Sequence, residues 1–161
     1  SDPIANCTGC PVGKYSAAVG ATSTSISCIR CAEGKYAQDL GTAECTDCPM
    51  GRYGLSTESD QLTDCDECEA GKYLSTNGST SAADCTECIP GMYSPLSGMG
   101  HCIDCPGGKF IGVYAATNCT SCAVGRFFNR TAGISSSNCT NCPPGTHLNT
   151  TGASSQTMCE A

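Results

Sequence analysis

The sequence predicts a small, disulfide-rich, all-β protein: an elongated linear array of short β-hairpin repeats, each closed by one disulfide, with little hydrophobic core. Three observations carry that prediction. Seventeen of the 161 residues are cysteine, a density at which a short chain reads as a disulfide scaffold. Ile, Leu, Val and Phe together number only 20, and Trp is absent. Apolar burial on that scale does not offset the conformational entropy lost on folding, so cross-links must supply the difference. The cysteines also recur at a regular period, which separates the chain from a disordered one.

The repeating element is a Cys-x-x-Cys pair. It occurs as Cys7/Cys10, Cys28/Cys31, Cys45/Cys48, Cys65/Cys68, Cys85/Cys88, Cys102/Cys105, Cys119/Cys122 and Cys139/Cys142, with Cys159 opening a ninth. Three residues after each second cysteine stands a glycine: Gly13, Gly34, Gly51, Gly71, Gly91, Gly108, Gly125 and Gly145. A glycine at one fixed place predicts a tight turn with positive φ. Two residues further comes an aromatic (Tyr15, Tyr36, Tyr53, Tyr73, Tyr93, Phe110, Phe127), with His147 the departure. The intervening position is basic in six units: Lys14, Lys35, Arg52, Lys72, Lys109 and Arg126. Alternation along a strand places these two side chains on opposite faces. The aromatic is expected over a neighbouring disulfide as a miniature core, and the basic residue in water.

Serine- and glycine-rich stretches follow, such as 16–27 and 75–83, and read as turns returning to the next cysteine. Successive pairs start 21, 17, 20, 20, 17, 17, 20 and 20 residues apart. The Cys-Gly-aromatic portion keeps its length, so the variation falls in the later loop. The repeats run 10–28, 31–45, 48–65, 68–85, 88–102, 105–119, 122–139 and 142–159, after a partial repeat at 1–9.

Since every gap carries the same motif, every gap is expected to carry the same bond: the second cysteine of one pair to the first of the next. The bonds would be Cys10–Cys28, Cys31–Cys45, Cys48–Cys65, Cys68–Cys85, Cys88–Cys102, Cys105–Cys119, Cys122–Cys139 and Cys142–Cys159, leaving Cys7 over. A second scheme joins first to first and second to second cysteines in blocks of four. It leaves Cys159 over and implies alternating unit types. Each bond of the first scheme closes a loop worth about 3 kcal/mol in the chain-entropy model.

Disulfides imply an oxidising compartment, secreted or at the cell surface. Six of the seven asparagines lie in Asn-x-Ser/Thr sequons, Asn6, Asn77, Asn118, Asn129, Asn138 and Asn149, which predicts N-linked glycans. No apolar run reaches membrane-spanning length. The start at Ser1-Asp2-Pro3 reads as a processed or trimmed edge. The net charge of −7 and the absence of a basic run argue against nucleic acid as partner.

Other chemistries fare poorly. The pair spacing suits zinc ribbons, but the sequons, the odd cysteine and only two histidines count against zinc. A redox Cys-x-x-Cys belongs beside a βαβ pattern, which is missing. His101 and His147 have no recurring acid or serine beside them, so no catalytic residue and no cofactor is assigned. Acidic residues gather in and beside the cysteine pairs (Glu44, Asp47, Asp64, Asp66, Glu67, Asp84, Glu87, Asp104). Surface ion pairing accounts for them; calcium at the unit junctions is the sharper alternative. Fourteen of the fifteen acids lie at or before Asp104, and four of the six sequons at or after Asn118. Both sections keep a core-poor chain soluble; alternatively, the acidic one makes contacts and the sequon-rich one is a spacer.

The segments Cys31-Ala-Glu-Gly-Lys-Tyr36 and Cys48-Pro-Met-Gly-Arg-Tyr53 resemble the cysteine-rich repeats called ephrin-receptor-like. They also resemble the single-disulfide first module of tumour-necrosis-factor-receptor cysteine-rich domains. The likeness runs from Cys7 to Cys159. It implies a β-hairpin array in which the module's bond runs as in the first scheme. The two-disulfide module of the latter receptors is missing, so their ligand-binding role is not carried over. A long uniform array is more like large surface and extracellular proteins of algae, protists and invertebrates. The expected function is that of an extracellular structural glycoprotein, a stalk, surface appendage, fibril or matrix component. Its partners would be neighbouring copies or continuing repeats, since Cys7 and the ninth unit suggest that the array goes on. The alternative is the ectodomain of a receptor or adhesin that binds a protein ligand.

Overall fold

A computed structural model of the chain describes residues 9–17 and 28–161. Cys7 and Asn6, and most of the 16–27 loop, lie outside the described residues. Seven two-stranded antiparallel hairpins follow one another. They are β1 (Lys14–Tyr15) with β2 (Ile29–Arg30), β3 (Lys35–Tyr36) with β4 (Thr46–Asp47), and β5 (Arg52–Tyr53) with β6 (Asp66–Glu67). Next come β7 (Lys72–Tyr73) with β8 (Thr86–Glu87) and β9 (Met92–Tyr93) with β10 (Ile103–Asp104). The last are β11 (Lys109–Phe110) with β12 (Thr120–Ser121) and β13 (Arg126–Phe127) with β14 (Thr140–Asn141). An eighth loop closes through a single bridge, His147 to Glu160. No α-helix occurs among the described residues. The predicted fold class holds: disulfide-closed hairpins with almost no core.

The turn before the first strand of each hairpin is made by the motif itself, and the second strand occupies the two residues between the cysteines of the next pair. The N–H after each motif glycine donates to the carbonyl three residues back, as in Arg52 to Pro49 (3.0 Å) and Met92 to Ile89 (3.0 Å). All eight motif glycines have positive φ, between +73° and +89°, the turn geometry that a side chain disfavours.

The two loop sizes have one physical cause. Every described hairpin whose cysteines are 17 residues apart carries a 3-10 turn just before its closing cysteine: Leu62–Asp64, Ala82–Asp84, Ser136–Asn138 and Gln156–Met158. Those with a separation of 14, such as Cys88–Cys102, have none. The three extra residues are one turn of 3-10 helix. Side chains cap it: Asp64 accepts from the N–H groups of Asp60 and Gln61, and Asn138 from those of Ile134 and Ser135.

Among the described residues, ten of the sixteen buried apolar ones are half-cystines, so the interior there is chiefly disulfide. Two compact bodies divide the described chain. The first draws on Ser1–Glu67 and Ser75–Asp84, the second on Cys68–Leu74 and Cys85–Ala161. In the first, Tyr15 packs against Cys31, Ala37 and Cys45. In the second, Phe127 lies with Leu148 and Ala153 against Cys142 and Cys159. In both places the aromatic covers the disulfide of the next hairpin.

Candidate functional site

The sixteen described cysteines form eight disulfides: Cys10–Cys28, Cys31–Cys45, Cys48–Cys65, Cys68–Cys85, Cys88–Cys102, Cys105–Cys119, Cys122–Cys139 and Cys142–Cys159. None of them is left as a thiolate for zinc. Among the described residues, no group of three or more His, Cys, Asp or Glu is placed to hold a metal ion.

Consecutive hairpins are joined by a repeated set of backbone hydrogen bonds. The motif glycine donates to the residue following the next hairpin's aromatic, as in Gly13 to Ala37 (2.8 Å) and Gly91 to Ile111 (2.8 Å). The residue after the aromatic donates into the next hairpin's loop, as in Ala37 to Ser59 (3.1 Å) and Ser94 to Ala116 (3.0 Å). A third bond comes from a residue that sequence reading passed over. Ten positions after the second cysteine, Gly41, Glu58, Gly78, Gly98, Ala115, Ala132 and Gly152 all have positive φ. Each donates its N–H to the second cysteine of the hairpin before: Cys10, Cys31, Cys48, Cys68, Cys88, Cys105 and Cys122 respectively, at 2.8–2.9 Å. The signal was present, since five of the eight units have glycine there, Gly20 included. Counting back from the closing cysteine, where the loops differ by a 3-10 turn, hides it.

The motif glycine has a second task at this point. A Cβ on Gly91 would stand 2.7 Å from the carbonyl oxygen of Ala132, and one on Gly108 would collide with that of Gly152. Each of these loops therefore reaches past its immediate neighbour to the turn of the hairpin before that. Gly125 and Gly145 have nothing within 4 Å of the same position.

The basic residues are not simply solvated. Lys35 meets Asp47 across its hairpin at 2.5 Å, and Arg52 meets Glu67 in the equivalent place. The bond to Asp47 holds the Lys35 ammonium above its usual pKa. Lys14 faces Arg30, a like charge, and Glu58 bridges both, at 2.8 Å to Lys14 and 3.1 Å to Arg30. The hydrogen bond from Lys14, followed by the charge of Arg30, keeps the Glu58 carboxylate below its ordinary pKa. A carboxyl so depressed stabilises the fold above its unfolded-state pKa and stops doing so as pH falls through its folded-state value. Glu58→Gln is therefore expected to lower the melting temperature at neutral pH, the difference from wild type vanishing in acid. Thermal unfolding of both proteins across pH checks this. In the later hairpins the partners of Lys109 and Arg126 are the neutral Ser121 and Asn141, matching the loss of acids after Asp104.

The described sequons divide by position. Asn77, Asn129 and Asn149 sit at exposed loop tips, seven to nine residues after the second cysteine. Asn118 and Asn138 directly precede a disulfide cysteine, and Asn138 is half-buried as a cap. Asn77 accepts from the Met50 N–H at 3.0 Å through its amide oxygen, not its nitrogen. His101 is exposed. His147 is also exposed and borders an open concavity of about 370 Å³ with Leu148, Asn149, Thr150, Met158 and Glu160.

Hairpins closed singly by disulfides and docked backbone to backbone define a cysteine-rich repeat protein of the kind typical of extracellular chains. The family model described as tyrosine-protein kinase ephrin type A/B receptor-like matches residues 20–65, 34–85 and 108–159. These matches span well over half of the chain, which therefore belongs to the ephrin-receptor-like cysteine-rich repeat family. Such modules are normally non-catalytic. No curated protein matches the chain. No helix among the described residues is long and apolar enough to cross a membrane.

Proposed function

We propose that this chain is part of an extracellular structural glycoprotein, a non-catalytic repeat array serving as stalk, surface appendage, fibril or matrix component. Its N-linked glycans sit on the sequons, and its neighbours are further repeats or further copies. One observation carries the reading: the recurring residues of the unit are taken up in holding hairpins together. The cysteines, the turn glycine, the aromatic and the residue ten positions on are all used at the junctions. Repeats joined only to near neighbours give extent without a large core. The alternative, a ligand-binding ectodomain, draws on the apolar residues exposed at several loop tips.

Peptide mapping of the protein secreted from a eukaryotic host, without reduction, tests the proposal. The expected result is glycan on Asn77, Asn129 and Asn149, with lower occupancy at Asn118 and Asn138, where the disulfide competes. Retention inside the cell with free thiols and bare asparagines would overturn it.

A further inference from the structure

We propose that the peptide bond between Arg130 and Thr131 is a cleavage site for a trypsin-like serine protease, guarded by a glycan on Asn129. The guard rests on the glycan reading above, and the site itself on the geometry of one loop. Eight residues of the chain are lysine or arginine. Seven of them stand in the two-residue strands of the hairpins. In each hairpin one strand lies between two disulfide cysteines and is paired with the other, as in Lys35 with Asp47 and Arg52 with Glu67. A protease must draw several residues into its cleft, so cutting there requires the hairpin to open first.

Arg130 is different. It stands at the tip of the Cys122–Cys139 loop, in Asn129-Arg130-Thr131, and all three residues are exposed. None of the three makes a backbone hydrogen bond among the described residues. The last bond before them runs from Phe128 to Ala153, and the first after them from Ala132 to Cys105. Exposed polar tips of this kind are where folded chains are most readily nicked. The Arg130 carbonyl lies beside Gly107, which has no side chain to cover it. Among the described residues the Arg130 guanidinium meets no carboxylate, and beyond Asp104 the sequence offers only Glu160. The guanidinium is therefore free for the carboxylate at the base of a trypsin-like specificity pocket.

The protease serine adds to the Arg130 carbonyl, the Thr131 amine leaves with a proton, and water then releases the acyl group. The products are a carboxylate on Arg130 and an ammonium on Thr131. The cut falls between Cys122 and Cys139, which are bonded to each other, so the two pieces stay joined. What is lost is the tether of Ala132, whose N–H clips this loop to Cys105 and whose carbonyl lies over Gly91. A cut thus loosens the junction without releasing a fragment. The sequon sets the guard in place, because Asn129 directly precedes the arginine, and none of the other five sequons contains a basic residue. A glycan is bulky, and on Asn129 it stands beside the side chain that the protease must grip.

Timed digestion of the oxidised, secreted protein with trypsin, followed by mass before and after reduction, tests both parts. Thr131→Ala removes the sequon and keeps Asn129 and Arg130. It should be cut once, gaining the mass of one water before reduction and giving pieces 1–130 and 131–161 after it. Asn129→Gln, which loses the sugar by another route, should be cut in the same way. The wild-type protein should stay whole over the same time, as should Arg130→Gln in the Thr131→Ala background, all with one disulfide map. In the nicked protein the Ala132 amide should exchange faster. No cut in either sugar-free variant would overturn the site, and so would a first cut at a strand residue. A wild-type chain that carries sugar on Asn129 and is cut as fast as the variants would overturn the guard, with the glycan reading left standing. A bare Asn129 in the wild type would sink that reading here and the guard with it, while the cut in the variants still decides the site.

Discussion

Gly108→Ala is expected to destabilise the protein by about 3 kcal/mol, combining the cost of a side chain at positive φ with that of forced overpacking. The new Cβ would meet backbone, the Gly152 carbonyl, which has no rotamer by which to move aside. Gly125→Ala is the control: φ is again positive, at +73°, but the space around it is empty. That variant should lose only about 1 kcal/mol, the conformational share. Denaturant unfolding of the oxidised proteins separates the two. Hydrogen exchange should also show the Gly152 amide, bonded to Cys122, losing protection in Gly108→Ala and keeping it in Gly125→Ala. Equal losses would mean that the glycine serves its own turn alone.

Removal of one disulfide should cost a similar amount, by a different route. The pair Cys88→Ala, Cys102→Ala opens a loop with a sequence separation of 14, worth about 3 kcal/mol of denatured-state entropy. It also takes a fully buried sulfur from an interior that is mostly sulfur. The loss should be local, because each hairpin touches only near neighbours. Protection should fall first at the Ala115 amide, whose acceptor is the Cys88 carbonyl. Hairpins such as Cys31–Cys45 should keep theirs. A single cooperative collapse of every hairpin would contradict this expectation.

Much of the architecture was legible because it rests on chemistry with a strict positional demand. A disulfide needs two cysteines and a positive-φ turn favours glycine, so Cys88, Gly91 and Cys102 announce themselves. The position ten residues after the second cysteine was not legible, because its demand is softer. Ala115, Ala132 and Glu58 tolerate the left-handed region when a backbone hydrogen bond holds them there, and a pattern with three exceptions is easily taken for loop composition. The basic position was half read. Its alternation with the aromatic follows from strand geometry, but the acid that meets Lys35 or Arg52 lies across the hairpin, at a distance set by the loop. The bridge from Glu58 to Lys14 and Arg30 joins hairpins two apart, a relation that no local spacing reveals. The sequons were plain, yet only the folded loops separate exposed Asn129 from half-buried Asn138.

The reach of each loop past its neighbour has a bearing on synthesis. A ribosome makes the Cys88–Cys102 hairpin before the segment that contains Ala132, so the groove beside Gly91 stays open until two further hairpins have emerged. The newest stretch of such a chain is always the least finished, and completion trails translation by a fixed lag. Oxidation matched to that lag would pair each cysteine with the nearest correct partner as it arrives. Oxidation of a chain released all at once would instead offer seventeen cysteines to one another in no particular order.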